Sequence, residues 1–361
     1  MGSIPTLPGI TERTVTTPRI ATHLLESGPA DGVPVLFVHG NASSATFWEE
    51  TMLRLPRDYR AIAPDLRGYG DTEDKIVDAT RGMGDWVDDL LALVDALRVD
   101  LFHLVGHSLG GSIAFALMAK AHARVLTATL VAPGSPYGFC GSKGLDGRPC
   151  YPDFAGSGGG VVNADFARRI AARDRGTDSQ TSPRTVMNAF YWKPPFRPRR
   201  EEDLLSSLLS ERIGPERYPG DLTPSTNWPM VAPGRYGPAN ALSPKYVGDV
   251  VERFLAIPHG ERPTILWIRG ADDQIVSDAS LFDLGNLGKL GAIPGWPGDA
   301  VFPPQPMVSQ MRAVLGRYDG DGGKVVEVVL PDCGHTPYIE KPAEFDRHLH
   351  AQLRSAAPAR V

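Results

Sequence analysis

The hexapeptide Gly106-His-Ser-Leu-Gly-Gly111 holds the clearest chemistry in the chain. A serine hydroxyl is a poor nucleophile until a neighbouring base takes its proton. In Gly-x-Ser-x-Gly, the flanking Gly106 and Gly110 permit a sharp strand-to-helix turn that lifts Ser108 beyond the strand end. The apolar run LFHLVGHS (101–108) supplies the strand, and the small-residue run GGSIAFALMAKAHA supplies the helix. The N–H groups that open such a helix point at the same spot. Ser108 reads as a nucleophile.

The base must be one of nine histidines. His122 sits on a helix, His259 in a turn, and His348 and His350 near the end of the chain. His103 lies inside a strand and reads as core, while His107 is turned away from Ser108 by strand alternation. His335 follows KVVEVVLPDCG, on the loop after the last strand, where parallel strands present their carboxyl ends together. A carboxylate must hold its imidazole in one tautomer. The run IRGADDQIV (268–276) offers Asp272 and Asp273 past a strand end, and the position of Asp273 is the better one, with Asp272 as a solvated or turn-forming neighbour. The strand VPVLFVHG ends in His39-Gly40-Asn41, so the backbone N–H groups of Asn41 and Leu109 can pair as an anion site.

Buried strands must carry these groups. VPVLFVHG (33–40), RAIAPDL (60–66), LFHLVGHS, VLTATLVAP (125–133), PTILWIRG (263–270) and KVVEVVL (324–330) are apolar runs. Residues 10–28 read as a hairpin broken at Pro18. MGDWVDDLLALVDAL (83–97) is an amphipathic crossover helix, and AEFDRHLHAQL is a closing one. Strand and helix alternate, which argues for a mostly parallel sheet covered on both faces. The alternation stops at residue 134, where Gly and Pro crowd together. The expected layout is a core of 1–133 and 249–361, interrupted by a cap at 134–248 with short helices at DFARRIAARD and EEDLLSSLLSERI. A second insertion is expected at about 280–323, with one helix at MVSQMRAVL.

HGN at 39–41, PDLRGYGDT at 64–72, GHSLGG, GADDQIV at 270–276 and GHTPYIEKPAEF at 334–345 together resemble the landmarks of the α/β-hydrolase superfamily, in its chain order Ser, Asp, His. The resemblance covers about 33–133 and 263–354. It implies an α/β-hydrolase fold with an inserted cap, in the serine-nucleophile, esterase- or lipase-like branch. HGNASSATFW (39–48) is similar to a segment of haloalkane dehalogenases. Those enzymes and the epoxide hydrolases use an aspartate nucleophile, and dehalogenases typically follow it with tryptophan. Here Ser108 and Leu109 occupy these positions. A serine attacking an alkyl halide or an epoxide would leave an ether that water does not readily cleave, so acyl transfer to water remains.

The expected activity is hydrolysis of a small-molecule carboxylic ester or lactone through an acyl-enzyme on Ser108, with no cofactor and no metal. An amidase, thioesterase or C–C bond hydrolase would show the same three residues. A ligand receptor on the same fold is the reading from another class. Phe190, Tyr191, Trp192, Trp228, Met230 and Tyr236 offer either substrate-binding surface or the cap's own core.

The 361 residues carry 37 basic and 42 acidic side chains, a net charge of -5, and no basic block beyond 197–200. This excludes a nucleic-acid footprint. No run approaches the roughly 20 apolar residues of a membrane span, and MGSIPTLPGITERTV has neither the basic start nor the apolar stretch of a secretory signal, so the expected location is cytoplasmic. Cys140, Cys150 and Cys333 make no disulfide framework or four-ligand zinc site. The first two read as free thiols, or as a bridge closing CGSKGLDGRPC in an oxidising setting.

Overall fold

Apolar side chains set on alternate faces of short extended runs build the centre of the molecule. The computed structural model describes residues 4–356. Its main sheet comprises β1 (Thr11–Thr16), β2 (Ala21–Ser27), β3 (Val33–Val38), β4 (Tyr59–Pro64), β5 (Phe102–His107), β6 (Val125–Val131), β7 (Thr264–Gly270) and β8 (Val325–Leu330). They stand in the order β1-β2-β4-β3-β5-β6-β7-β8. β1 and β2 form the antiparallel hairpin around Pro18, and β2 runs antiparallel to β4. The pairs from β4 to β8 are parallel.

The core helices are α1 (Gly84–Ala96), α2 (Leu109–Ala121), α3 (Val250–Leu255), α4 (Met307–Gly320) and α5 (Pro342–Arg354). Successive strand residues point to opposite faces. Leu36, Val38, Leu104 and Trp267 therefore meet one apolar layer, with Trp86 and Leu90 of α1, Ile113 of α2, Phe254 of α3 and Met311 of α4. Val35, Phe37, Val105 and Ile268 meet the other, with Trp48 and with Phe345 and Leu349 of α5. Removing one such side chain, as in Phe37→Ala, costs about 3–5 kcal/mol. β8 is the outer edge, and its Val326 and Val329 are exposed.

Two glycines set how close α2 lies to the sheet. A Cβ on Gly106 would stand 2.2 Å from the Gly110 carbonyl oxygen, and one on Gly110 would stand 2.2 Å from that of Val38. No side chain fits at either place.

Residues 134–248 leave the sheet after β6 and return at α3. Helices form at Ala164–Ala171 and Glu201–Leu208, where the sequence places them, and also at Pro183–Phe190, which the sequence reading passed over. Pro183 opens that helix as its first residue, where its missing N–H costs nothing. Short ladders join Ser142–Lys143 to Arg148–Pro149 and Leu222–Pro224 to Val231–Pro233. Within 280–323, a helix at Leu284–Lys289 is capped by Asp283, whose side chain accepts from Asn286 N; the expected helix at MVSQMRAVL is α4. Cys140, Cys150 and Cys333 are free and buried. Among the described residues, no helix is long and apolar enough to cross a membrane.

Candidate active site

Ser108 ends β5 and begins α2 at φ 54° and ψ −116°. For a non-glycine residue this is a strained conformation. Several hydrogen bonds hold it there: Ser108 N donates to Val131 O at 2.9 Å, and its carbonyl accepts from Gly111 N and Ser112 N at 2.9 and 3.1 Å. The turn packs against the loop after β3, where a Cβ on Gly40 would stand 3.2 Å from Ser108 Cβ.

His335 comes from the loop after β8, and Asp273 from the loop after β7. His335 Nδ1 lies 2.7 Å from Asp273 Oδ2, with both side chains 3% exposed. A carboxylate only accepts, so Nδ1 carries the proton and Nε2 is left as the basic nitrogen. Asp273 Oδ1 accepts from Ile275 N at 2.8 Å and Val276 N at 3.0 Å, which fixes the carboxylate in turn. Asp272 is turned outward and pairs with Lys193 Nζ at 3.1 Å.

The loop after β3 is held by its own histidine. His39 Nε2 accepts from Leu66 N at 2.9 Å, so Nδ1 bears the hydrogen and donates to Gly40 O at 2.8 Å. Ser43 Oγ donates to the same oxygen at 2.9 Å. Burial pushes the His39 imidazole below its usual range, which suits this neutral tautomer. In a planar trans peptide the C=O and the next N–H point in opposite directions. Pinning the Gly40 carbonyl therefore aims the Asn41 N–H the other way.

A cavity of about 350 Å³ lies against Ser108 and His335. The sheet side contributes Asn41, Ser108, Leu109, Ile275, Val276 and His335. Opposite stand Phe139, Phe166, Phe190, Tyr191, Leu242 and Leu284. Among the described residues the lining contains no Lys, Arg, Asp or Glu.

The aromatic candidates divide. Tyr191 and Phe190 line the cavity, whereas Trp192, Trp228, Met230 and Tyr236 do not. Trp192 is turned into the core, 1% exposed, with its Nε1 donating to Asn188 Oδ1 at 3.2 Å. Trp228 packs on Phe302 with ring centroids 5.0 Å apart and donates to Pro294 O. Met230 points outward, 58% exposed. Sequence spacing does not distinguish an inward from an outward face in so irregular a segment.

His107 was set aside on strand alternation, yet it borders the site. Its Nε2 donates to the His335 carbonyl at 2.9 Å, and its Nδ1 accepts from Tyr338 Oη at 3.2 Å. Burial, aided by the neighbouring His335, holds this imidazole well below its usual range and so neutral. Tyr191 also ties the site together: its hydroxyl donates to Ala42 O at 2.9 Å, and its carbonyl accepts from Thr336 N at 2.8 Å. No motif marks either role. A His beside the nucleophile, directly below a strand end, was the only available signal.

The fold and these loops are those of a known family. Residues 35–347 match the model of the alpha/beta hydrolase family, and the chain belongs to that family. It is 36% identical over 140 residues to 2-hydroxymuconate semialdehyde hydrolase of Pseudomonas sp. (strain CF600), an alignment covering 38% of this chain and 48% of the relative. The chain thus spans about half the length of that curated relative. Among solved structures, carboxylesterase CesB from Bacillus subtilis superposes with a TM-score of 0.59 at 14% identity, covering 96% of this chain and 93% of that one. The esterase RhEst1 from Rhodococcus sp. ECU1013 gives 0.55 at 18% identity, covering 97% and 100%. Likeness at this level of identity concerns the fold.

Proposed function

We propose that the protein hydrolyses an uncharged carboxylic ester or lactone through an acyl-enzyme on Ser108. The observation that carries this reading is the Asp273–His335 pair at 2.7 Å, whose histidine lines the same cavity as Ser108. Ser108 Oγ attacks the carbonyl carbon while His335 Nε2 takes its proton, and Asp273 holds Nδ1–H and the imidazolium that forms. The N–H groups of Asn41 and Leu109 receive the oxyanion, each worth about 3–4 kcal/mol of transition-state stabilisation. His335 then protonates the leaving alcohol. Water, deprotonated by the same nitrogen, releases the acid.

The walls support the substrate class. The wall contributed by the inserted segments is uncharged and largely apolar, with Asn163, Gln180 and Thr181 among its polar members, and a volume of about 350 Å³ lies toward the small end of the roughly 300–1,000 Å³ usual for ligand pockets. The segments 134–248 and 280–323 act as the cap that sets acyl selectivity. Amide, thioester and C–C bond cleavage would use the same residues. A muconate semialdehyde, named for the Pseudomonas relative, carries a carboxylate. An uncharged ester is preferred because, among the described residues, no Lys or Arg lines the cavity to pair with one.

The test is steady-state hydrolysis of p-nitrophenyl esters from acetate to decanoate. We expect turnover with a maximum below octanoate. Absence of turnover across the series overturns the ester reading and directs the search to the other bonds, or to a ligand receptor.

A further inference from the structure

Behind the loop that carries Asn41 lies a titratable cluster that the proposed reaction does not use. Glu211 follows the helix Glu201–Leu208 and is 4% exposed. Both its carboxyl oxygens are enclosed, with no hydrogen bond formed among the described residues. Its carboxyl sits next to the Tyr69 hydroxyl and within electrostatic reach of Tyr191 and Tyr218. Tyr69 Oη donates to Asn41 Oδ1 at 2.7 Å. The Glu211 segment is docked on the same loops: Arg212 N donates to Gly68 O at 3.0 Å, Arg212 Nη2 to Gly70 O at 3.1 Å, and the Ser207 and Ser44 hydroxyls meet at 2.6 Å.

We propose that Glu211 is a positioning residue for the oxyanion site, acting through the Tyr69 hydroxyl on Asn41. This rests on the ester-hydrolase reading above.

One hydrogen decides the arrangement. A phenol has a single O–H, and that of Tyr69 is committed to Asn41 Oδ1. The Tyr69 oxygen can still accept, so a neighbouring group that donates completes the chain. Burial pushes the Glu211 carboxyl well above the usual carboxylate range, which makes it a neutral acid with one O–H to give. Burial likewise raises the three phenols that face it, so each keeps its proton. Arg212, the adjacent cation, sends Nη2 to Gly70 O. With both its oxygens otherwise unpartnered, the neutral carboxyl needs only a small approach to donate to the Tyr69 oxygen, while the Tyr69 O–H stays on Asn41. An ionised Glu211 would only accept. It would compete for the Tyr69 hydrogen, since charged acceptors make the stronger bond, and Asn41 Oδ1 would lose its partner.

The chain predicts how four variants behave on a p-nitrophenyl ester that the protein turns over. Glu211→Gln retains a donor and should keep kcat within about threefold, whereas Glu211→Leu and Tyr69→Phe should each lower kcat by about tenfold with KM unchanged, the size of one lost hydrogen bond. The double variant should be no slower than either single one, because both break the same chain. A second readout is the infrared spectrum at neutral pH, in which wild type should show a protonated-carboxyl band that Glu211→Gln lacks. The proposal is overturned if Glu211→Gln falls as far as Glu211→Leu, if the two losses multiply, if KM moves in place of kcat, or if Glu211 absorbs as a carboxylate. Should Glu211→Leu not fold, Glu211→Gln, Tyr69→Phe and the spectrum still decide. If wild type turns over no ester, the ester reading fails, and the spectrum tests Glu211 on its own.

Discussion

The two walls of the cavity are built on opposite rules. On the sheet side, polar groups have partners assigned down to the hydrogen: His39 to Leu66 and Gly40, His107 to His335, and Asp273 to His335, Ile275 and Val276. On the inserted side, apolar side chains such as Phe139, Phe166, Phe190 and Leu284 predominate and fill space, with Asn163, Gln180 and Thr181 as uncharged polar groups among them. Directional bonds tolerate displacements of tenths of an ångström, whereas apolar contacts trade size for size. Under the proposed function, the molecule thus separates the part that performs a reaction from the part that selects what undergoes it. The first part demands particular residues, and the second demands only a shape.

This contrast can be broken experimentally, beginning with its largest consequence. Ser108→Ala should lower turnover by roughly a million-fold, as in comparable triads, with an unchanged circular dichroism spectrum; retained activity would sink the acyl-enzyme mechanism. Asp273→Asn should reduce kcat by about four orders of magnitude through loss of the tautomer. Asp272→Asn should stay near wild type, because that carboxylate faces Lys193; the reverse ranking would reassign the acid. On the inserted wall, Phe190→Ala should move the ester optimum to longer acyl chains while changing the best kcat/KM by less than about tenfold. A collapse of activity on all chain lengths would show that this wall also positions the reaction.

The smallest effect concerns the support behind the sheet wall. Asp65 accepts from Ala45 N and Asp71 N and pairs with His23 Nδ1 at 2.8 Å. Burial would lower His23, but the hydrogen bond and charge of Asp65 outweigh it and leave the imidazole raised. Burial would raise Asp65, but His23 and the other partners leave it lowered. A raised His stabilises the fold below its unfolded value, and that contribution fades as pH climbs through its folded value. A lowered Asp stabilises above its unfolded value and fades as pH drops through its folded one. The pair is therefore fully effective between about pH 4 and pH 6.5. His23→Gln should lower Tm more at about pH 5.5 than at about pH 9. An equal shift at both values would remove the ion pair from the account.

Most of the sheet wall was legible in the sequence because its signals are local. Apolar runs ending at glycine mark β3, β5 and β7, and the Gly106–Gly110 spacing has one steric meaning. The family model covering residues 35–347 agrees with that reading of the fold. The inserted wall was not legible, since which aromatic faces inward depends on how irregular segments pack against one another. Trp192, open in sequence to either a binding or a core role, is buried in the core and off the cavity. The tie of His107 to the His335 loop was hidden for a related reason: period-two alternation says which face a side chain leaves by, and nothing about a distant loop that folds down to meet it. Glu211 carries no motif at all. Its interest comes from three tyrosines that are far apart in sequence.

One feature of Ser108, the proposed nucleophile, sets the chain's fitness to fold against its fitness to react. Ser108 holds φ at 54°, a region that costs a side-chain-bearing residue on the order of 1–3 kcal/mol and glycine almost nothing. Ser108→Gly should therefore melt at a higher temperature than wild type while being catalytically inert. Selection for thermal stability alone, carried through this codon, would discard the enzyme and keep the protein.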